Sequence, residues 1–264
     1  MSYQSDTRSA AEQYTPELKN KVEASRANFV MQGLTLETYD DLAVSDTEEI
    51  LLERSDFQVR LADTRGRRNK SSVLINRMYS WRGYKRRTQN QAQDFNRITL
   101  QACHADSVFG TLTVAFDSAA GLAADNLYNS EIDAYREAGA SVCELTRLAV
   151  DPRDGSKEVL GTLFHLAYIY GGLLRGATDV FIEVNPRHVS FYKRMLDFDQ
   201  AGECKLCERV DAPAVLLHLE VAYVAEQIAR YGGHRGRGKR SLYPYFFSKQ
   251  EEEGLTQRIA RLAR

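Results

Sequence analysis

The sequence of 264 residues has few prolines, cysteines and tryptophans, and no surplus of either charge. It contains 5 prolines, 4 cysteines and 1 tryptophan, and its 35 basic residues nearly balance 36 acidic ones. No apolar run is long enough to cross a bilayer, and "MSYQSDTRSAAEQYTPELKN" lacks the basic start and apolar stretch of a secretory signal. These absences argue against a disulfide-dense secreted scaffold and a membrane-spanning protein. We expect a cytoplasmic globular protein with one main domain.

Two cysteines form a C-x-x-C pair in "ECKLCERV" at 203–210, but no second pair and no nearby histidine cluster completes a zinc site. The segment has the pattern of a strand, so we favour two semi-buried thiols in a hairpin over metal or redox chemistry. The five histidines do not cluster at ligand spacing either, and no Ser-His-Asp or Cys-His motif is present locally. We therefore predict neither a metal site nor covalent catalysis.

The basic residues are concentrated in two places. Residues 65–87 contain nine basic side chains and no acidic one, and the run "HRGRGKR" follows at 234–240. The first block would attract an anionic partner, or it is a solvated loop and helix face. The second is interpreted as a mobile loop rather than an RNA-binding segment, and no nucleic-acid partner is expected.

Hydrophobic periodicity divides the chain into three regions. Residues 1–50 are an acidic, weakly patterned arm, residues 51–224 alternate between strands and helices, and residues 225–264 form a helical extension. "FNRITLQACHADSVFGTLTVAFDS" is typical of an antiparallel hairpin, and "SKEVLGTLFHLAYIYGGLLRGA" of a buried helix. The order of elements predicts an α/β fold, with a mixed central sheet flanked by helices. "SLYPYFF" is aromatic enough to be a lid or to pack the extension onto the core.

Two helices have local predictions of their own. In "NKSSVLINRMYSWRGY" the helical spacing joins Val73, Leu74, Arg77, Met78 and Trp81. In "NLYNSEIDAYREAGA" we predict Asn129 or Ser130 as the N-cap and Gly139 as the end of the helix.

The strand "CELTRLAVDP" at 143–152 carries two charges, Glu144 and Arg147, in an otherwise apolar run. On a regular strand these side chains would point to opposite faces, because the side-chain period is two. A β-bulge between them would change this and would expose backbone N–H groups. A charge pair near a sheet edge is the purely structural alternative.

The element order, "ELTRL" and "NPRHVSFYKRMLDF" together resemble the GNAT N-acyltransferase fold over roughly residues 57–222. In that fold the substrates enter between the fourth and fifth strands, here "CELTRLAVDP" and "TDVFIEVNP", which splay apart around a bulge in the fourth. Asn185, Tyr192 and Phe198 match the signature after the fifth strand. One extra residue separates Tyr192 from Phe198, and Asp197 replaces the common glycine, so we expect a different local turn.

The coenzyme A-binding loop of acetyl-CoA-dependent members is not matched, because Gly155 and Gly161 in "DPRDGSKEVLGTLF" are too far apart for its backbone cradle. One branch of the fold lacks this loop and takes its acyl group from acyl carrier protein. That branch holds the autoinducer synthases and the long-chain N-acyl amino acid synthases of FeeM type, which carry Glu-x-Ser/Thr-Arg on the fourth strand. Glu144, Thr146 and Arg147 match that motif.

"LINRMYSWRGY", followed later by "NPRHVSFYKRMLDF", is similar to the N-acyl amino acid synthases in particular. Autoinducer synthases carry a cluster of acids soon after the first helix, suited to a sulfonium substrate. No acid lies between Arg77 and Gln93 in this chain, so homoserine lactone synthesis is the weaker interpretation.

The resemblance implies transfer of a long-chain acyl group from acyl carrier protein to the amine of an amino acid or similar acceptor. No cofactor would be bound, and the acyl-phosphopantetheine of the carrier would be the donor, with acyl-CoA as the alternative. Glu144 would be the general base, directly or through a water, and Arg147 would bind a substrate carboxylate or the pantetheine phosphate. Tyr192 would protonate the leaving thiolate, and Arg77 and Trp81 would line the pocket. Asn185 would stabilise the strand end or the carrier arm. The predicted docking residues for the carrier are Arg82, Lys85, Arg86 and Arg87.

Two other functions remain open at this point. The first is N-acetylation from acetyl-CoA through an unusual phosphate loop. The second is a GNAT-fold binding module that has lost its activity. Acyl-chain length separates the first of these from long-chain transfer.

Overall fold

The computed structural model describes residues 50–84, 96–235 and 240–262. The predicted arm, apart from Ile50, and the predicted docking residues Lys85, Arg86 and Arg87 lie outside these ranges. The described strands are β1 Ile50–Glu53, β2 Gln58–Leu61, β3 Arg97–His104, β4 Ser107–Phe116, β5 Val142–Val150, β6 Asp179–Val184, β7 Asp199–Gln200, β8 Lys205–Cys207 and β9 Ala212–Glu220. The helices are α1 Arg65–Trp81, α2 Asp125–Glu137, α3 Lys157–Tyr168, α4 Pro186–Leu196, α5 Val221–Tyr231 and α6 Lys249–Leu262.

The strands form one mixed sheet in the order β1-β2-β3-β4-β5-β6-β9-β7, with β8 paired to β9. The neighbours β5 and β6 run parallel, and the other paired strands run antiparallel. This confirms the predicted mixed sheet and the β3–β4 hairpin. Strand β1, which the sequence patterns did not indicate, extends the sheet beyond β2.

Alternation along the strands divides the core between the two faces of the sheet. On β4, Val114 belongs to the main apolar core with α3, whereas Ala115 packs with the residues of α2. Adjacent residues of a strand point to opposite faces, so α2 and α3 cover opposite sides of the sheet. None of the helices among the described residues combines the length and apolar character that a bilayer span requires.

The predicted first helix is present as α1, where Leu74 and Met78 are buried but Val73 and Trp81 are 68% and 71% exposed. Two other local predictions are wrong. Helix α2 starts at Asp125, about one turn before the predicted cap, is interrupted at Tyr128 (φ −129°, ψ 28°), and ends as expected before Gly139, which has a φ of +90°. The early start has a tertiary reason. It places Tyr128 under the sheet, where the hydroxyl lies 2.8 and 2.7 Å from the carbonyl oxygens of residues 203 and 214 and can donate its one proton to either.

The second wrong prediction is the length of the last strand. The alternation in "AVLLHLEVAYV" at 214–224 predicts a strand as far as Val224, but β9 ends at Glu220 and the helix α5 begins at Val221. In the turn after α4, Asp197 adopts the left-handed conformation that glycine usually occupies, with φ 61°. The Tyr223 hydroxyl donates to its carboxylate at 3.0 Å, which ties α5 to this turn.

Helix α3 is the buried helix that the sequence predicts. The Ser156 hydroxyl caps it by accepting from the Val159 N–H at 3.1 Å, and it continues as a π-helical segment, Ile169–Leu174. A Cβ placed on Gly161 would lie 2.8 Å from the Tyr245 Cβ. Gly161 therefore permits close packing of the C-terminal segment on α3 and is not part of a phosphate-binding loop.

The segment "SLYPYFF" lies on the core. Leu242, Tyr243, Phe246 and Phe247 are all buried, and the Tyr243 hydroxyl donates to the backbone carbonyl of residue 196 at 2.7 Å. The Phe247 N–H donates to Nδ1 of His165 at 2.8 Å, so the other ring nitrogen carries the proton. That nitrogen, Nε2, lies 3.1 Å from the Glu252 carboxylate on α6. A buried histidine thus joins α3 to the C-terminal extension.

Candidate active site

A cleft opens where β5 and β6 diverge. Their parallel ladder extends only from Val142↔Asp179 to Glu144↔Phe181, whereas β5 remains paired to β4 and β6 to β9. The cleft has a volume of about 590 Å³ and is lined by residues of β5, β6, α4, the end of α1 and the loop after β8. The strands therefore splay apart, as the resemblance implies.

The predicted bulge is present in β5. Thr111 and Thr113 of β4 face Ala149 and Thr146, so the one residue between them on β4 lies opposite two residues of β5, Arg147 and Leu148. Arg147 lies in the bulge with φ 55°, and its carbonyl accepts from the Thr111 hydroxyl at 3.0 Å. Its side chain lines the cleft. The bulge thus directs the predicted anion-binding residue toward the substrate space.

Glu144 lies beside the cleft but is enclosed. Its side chain lies on the face of the sheet that α2 covers, and 1% of the residue is exposed. The backbone N–H groups of Ala123 and Ala124 donate to Oε2 at 2.8 and 3.3 Å. Glu144 is not among the residues that line the cleft. The bulge therefore does not bring Glu144 and Arg147 to one surface, and a proton could reach Glu144 from the cleft only through an intervening group.

The carboxyl of Glu144 titrates near neutrality. Burial raises its pKa to about 7; the Arg209 guanidinium opposes this rise, and the Glu183 carboxylate adds to it. The two backbone N–H donors favour the ionised form but are outweighed by burial. An acid with such a pKa can exchange a proton at physiological pH.

This raised pKa predicts a pH-dependent stability. Because the folded-state pKa lies above the ordinary value of 4.5, the stability that this carboxyl contributes is fully present below pH 4.5 and is lost as the pH rises through about 7. Glu144→Gln cannot ionise. Between pH 5 and pH 8, its free energy of unfolding should therefore gain about 2–3 kcal/mol relative to that of the wild type. Urea denaturation of both proteins at the two pH values measures this. A constant difference would mean that the Glu144 carboxyl is ionised at pH 5.

Tyr192 and Asn185 both line the cleft from α4 and its N-cap. The Tyr192 ring packs edge-on against Phe164 and Phe198, with centroids 6.4 and 5.9 Å away, and burial raises the pKa of its hydroxyl well above the ordinary value. Tyr192 therefore remains a proton donor at neutral pH. The Asn185 side chain accepts from the Arg187 N–H at 3.3 Å and donates to the carbonyl of residue 213 at 3.0 Å, which fixes the end of β6.

Arg77 and Trp81 do not line the cleft in the described structure. Arg77 donates to the Asp151 carboxylate at 2.8 Å, and Trp81 is on the surface. They are four residues apart and share a helix face. The cleft instead receives Tyr79 and Arg82 from another face of the same helical segment. Of the predicted docking residues, Arg82 is thus at the cleft.

Sequence reasoning missed a charged cluster at the α2 side of the cleft. Arg209, in the loop after β8, donates to the Glu183 carboxylate of β6 at 2.9 Å and approaches the Ala123 carbonyl at 3.4 Å. Both charged side chains line the cleft. Glu183 was detectable as a second acid within an apolar strand, in "TDVFIEVNP". Arg209, in contrast, has no local signal that distinguishes it from a surface arginine.

An apolar cavity of about 30 Å³ adjoins the cleft and shares Leu145 and Phe164 with it. Its other wall includes Tyr243 and Phe246 of the C-terminal segment. Cys143 also lines it, and burial raises the pKa of this thiol to about 12, so it is protonated at neutral pH. The cavity can hold one or two water-sized apolar groups.

The C-x-x-C cysteines differ in environment. Cys204 precedes β8 and is exposed, whereas Cys207 ends β8 and is buried. The thiols are therefore not both semi-buried in a hairpin strand, as the sequence suggested. Among the described residues no group of three or more His, Cys, Asp or Glu side chains is arranged to hold a metal ion.

The splayed β5 and β6, the bulge in β5 and the Asn-capped helix after β6 define a GNAT-fold N-acyltransferase. Residues 70–220 match the sequence model of the family described as N-acyl amino acid synthase FeeM. The chain belongs to this family. The match lies inside the acyltransferase region predicted at 51–224.

The solved structure of FeeM agrees with this assignment. FeeM, an N-acyl amino acid synthase from uncultured soil microbes, is 26% identical with a TM-score of 0.58, over 63% of this chain and 91% of that one. An acyl-CoA N-acyltransferase from Pseudomonas aeruginosa is 12% identical with a TM-score of 0.41, over 62% and 97% of the two chains. An N-acetyltransferase from Staphylococcus aureus Mu50 is 11% identical with a TM-score of 0.44, over 63% and 98%. A comparison with curated proteins gave no match.

Proposed function

We propose that the protein transfers a long-chain acyl group from acyl carrier protein to the amine of an amino acid or a similar acceptor. The thioester C–S bond breaks, an amide C–N bond forms, the amine loses a proton and the thiolate gains one. The observation that carries this proposal is the family match over residues 70–220, together with a cleft open between β5 and β6. The acceptor and the donor thioester would meet in that cleft.

The charges of the cleft support a donor with one phosphate and an acceptor with a carboxylate. Arg82, Arg97 and Arg147 all line it. Arginine can bind either anion through two parallel hydrogen bonds. At the start of α3, where coenzyme A-dependent members hold the pyrophosphate, the Ser156 side chain caps the helix and Gly161 packs against Tyr245. These contacts favour the phosphopantetheine arm of acyl carrier protein over coenzyme A.

The reaction needs two proton transfers, one from the acceptor amine and one to the leaving thiolate. An α-amino group has a pKa of about 8, so the acceptor arrives mostly charged and needs a base. Glu144, with its pKa of about 7, takes the proton through a water that bridges it to the cleft. Tyr192, held protonated by its burial, donates to the departing thiolate. The acyl chain lies in the cleft with its end toward the apolar cavity behind Leu145.

We propose that the carrier docks beside Arg82, next to the basic residues that follow it in sequence. Acyl carrier proteins are strongly acidic, so charge reversal should weaken the encounter. The double variant Arg86→Glu and Arg87→Glu should raise KM for acyl carrier protein about 10-fold and leave kcat nearly unchanged. Steady-state kinetics at low and physiological salt measures both constants. The control is Arg258→Glu on α6, whose guanidinium contacts the β1 backbone. A KM unaffected by the double reversal would remove this block from the docking surface.

Mass spectrometry of lipid extracts tests the proposed function in cells. A strain that expresses the wild type should accumulate long-chain N-acyl amino acids, which a strain with Glu144→Gln should lack. Equal amounts of these lipids in both strains and an empty-vector control would contradict the proposal.

A further inference from the structure

Glu183 occupies a specific position relative to the cleft. Phe181 of β6 pairs with Glu144 of β5 in the last step of the parallel ladder, and Glu183 lies two residues further along β6. It therefore points to the same face as Phe181 and Glu144, at the level where the two strands have separated. Its side chain is 7% exposed and lines the cleft.

Only half of this carboxylate is satisfied. Oε1 accepts from the Arg209 guanidinium at 2.9 Å. Oε2 is buried and, among the residues that the structure describes, has no hydrogen-bond partner at ordinary distance. The Cys207 thiol, which is only a weak donor, approaches the carboxylate. Buried carboxylate oxygens without a strong donor are rare in folded proteins, because desolvation is then not offset. An acceptor of this kind at the wall of the cleft fits a stronger donor that arrives with the substrate.

The charges around Glu183 also favour the binding of a cation. The groups that face it are Arg209, the Glu144 carboxyl, the Cys207 thiol and the Tyr128 hydroxyl. Arg209 balances one carboxylate, and neither the thiol nor the phenol supplies a positive charge. When Glu144 and Glu183 are both ionised, the cluster therefore lacks one positive charge, which an ammonium group would supply.

We propose that Glu183 binds the acceptor amine. Its Oε2 accepts a hydrogen bond from the ammonium group of the amino acid, while Arg209 holds the Glu183 carboxylate in place. This inference rests on the proposed function and adds the residue that selects an amine. Glu183 orients the nitrogen toward the thioester, and Glu144 removes its proton through the bridging water. The two glutamates thus have separable roles, binding and proton transfer.

The test is a comparison of acceptor binding and turnover. The acceptor is the one among the twenty protein amino acids that gives the most product with the wild type, and its control is the carboxylic acid of the same shape without the amine. By isothermal titration calorimetry, the wild type should bind the amino acid about 10- to 100-fold more tightly than the amine-free analogue. Glu183→Gln should remove that difference and should raise KM for the amino acid by a similar factor, with kcat reduced less than about 3-fold.

Two further variants distinguish a loss of amine binding from a folding defect. Glu208→Gln removes an exposed carboxylate one residue from Arg209 and should behave as the wild type. Glu183→Asp keeps the charge but withdraws it by one methylene, and its KM should lie between those of the wild type and Glu183→Gln.

The possible outcomes distinguish a failure of this inference from a failure of the proposed function. If the wild type makes N-acyl amino acids and Glu183→Gln keeps the wild-type KM and affinity, Oε2 meets only water and the inference is wrong. A loss confined to kcat would assign Glu183 to proton transfer and would also overturn it. If the wild type acylates no amino acid, the proposed function fails and the inference fails with it.

Discussion

Glu144→Gln should lower kcat about 100- to 10,000-fold and leave KM for the acceptor nearly unchanged, since a general base typically contributes that much to the rate. The amide oxygen can still accept from the N–H groups of Ala123 and Ala124, which hold the carboxylate at 2.8 and 3.3 Å. The fold around β5 should therefore be retained. What is lost is a proton acceptor with a pKa of about 7.

The pH dependence of kcat distinguishes this loss from a structural defect. The wild-type rate should rise with an apparent pKa near 7 as Glu144 ionises, and the residual rate of Glu144→Gln should lack that step. Glu220→Gln, an exposed carboxylate at the end of β9, is the control and should retain full activity. A variant with wild-type kcat would show that the enclosed carboxyl of Glu144 takes no part in proton transfer.

His165→Ala should lower the free energy of unfolding by about 3–5 kcal/mol, the cost of removing one partner of a buried polar pair. The ring has no exposed surface and links the Phe247 N–H at 2.8 Å to the Glu252 carboxylate at 3.1 Å. Alanine would leave both groups without this partner and create a cavity between α3 and the C-terminal segment. The extension should then detach more readily from the core.

The pH profile of this variant should also change. Burial lowers the pKa of His165, so its contribution to stability is present above the ordinary histidine pKa of 6.5 and is lost as the pH falls through the lowered value. The stability of the wild type should therefore decrease on acidification more steeply than that of His165→Ala. Urea denaturation followed by circular dichroism measures both effects. His104→Ala, a half-exposed histidine at the end of β3, is the matched control and should cost under about 1 kcal/mol. A similarly small loss for His165→Ala would contradict a structural role for the pair.

Local patterns predicted most elements of the fold, because periodicity and caps act over a few residues. The β3–β4 hairpin and the buried helix α3 follow from alternation and from an apolar surface all round the helix. The start of α2 does not, because it depends on the Tyr128 hydroxyl meeting backbone carbonyls 75 and 86 residues away. Likewise, the apolar character of Val73 and Trp81 could not indicate that α1 leaves them on the surface.

The candidate site was predictable only in part. The bulge and the cleft-lining position of Arg147 follow from the resemblance of "ELTRL" to a known motif. The enclosure of Glu144 does not, because its donors Ala123 and Ala124 come from the loop before α2, about 20 residues away in sequence. Glu183 and Arg209 are also distant in sequence, and only the fold brings them together. Long-range pairs of this kind leave no local pattern.

The central claim is tested most directly with the purified 264-residue protein, palmitoyl-acyl carrier protein and a mixture of the twenty amino acids, with products identified by mass spectrometry. Parallel reactions contain palmitoyl-CoA or acetyl-CoA as the donor. We predict N-palmitoyl amino acids and release of the carrier thiol, formed much faster from the carrier thioester than from palmitoyl-CoA, and no N-acetyl product. Formation of N-acetyl amino acids from acetyl-CoA, without long-chain products from the carrier thioester, would contradict the account.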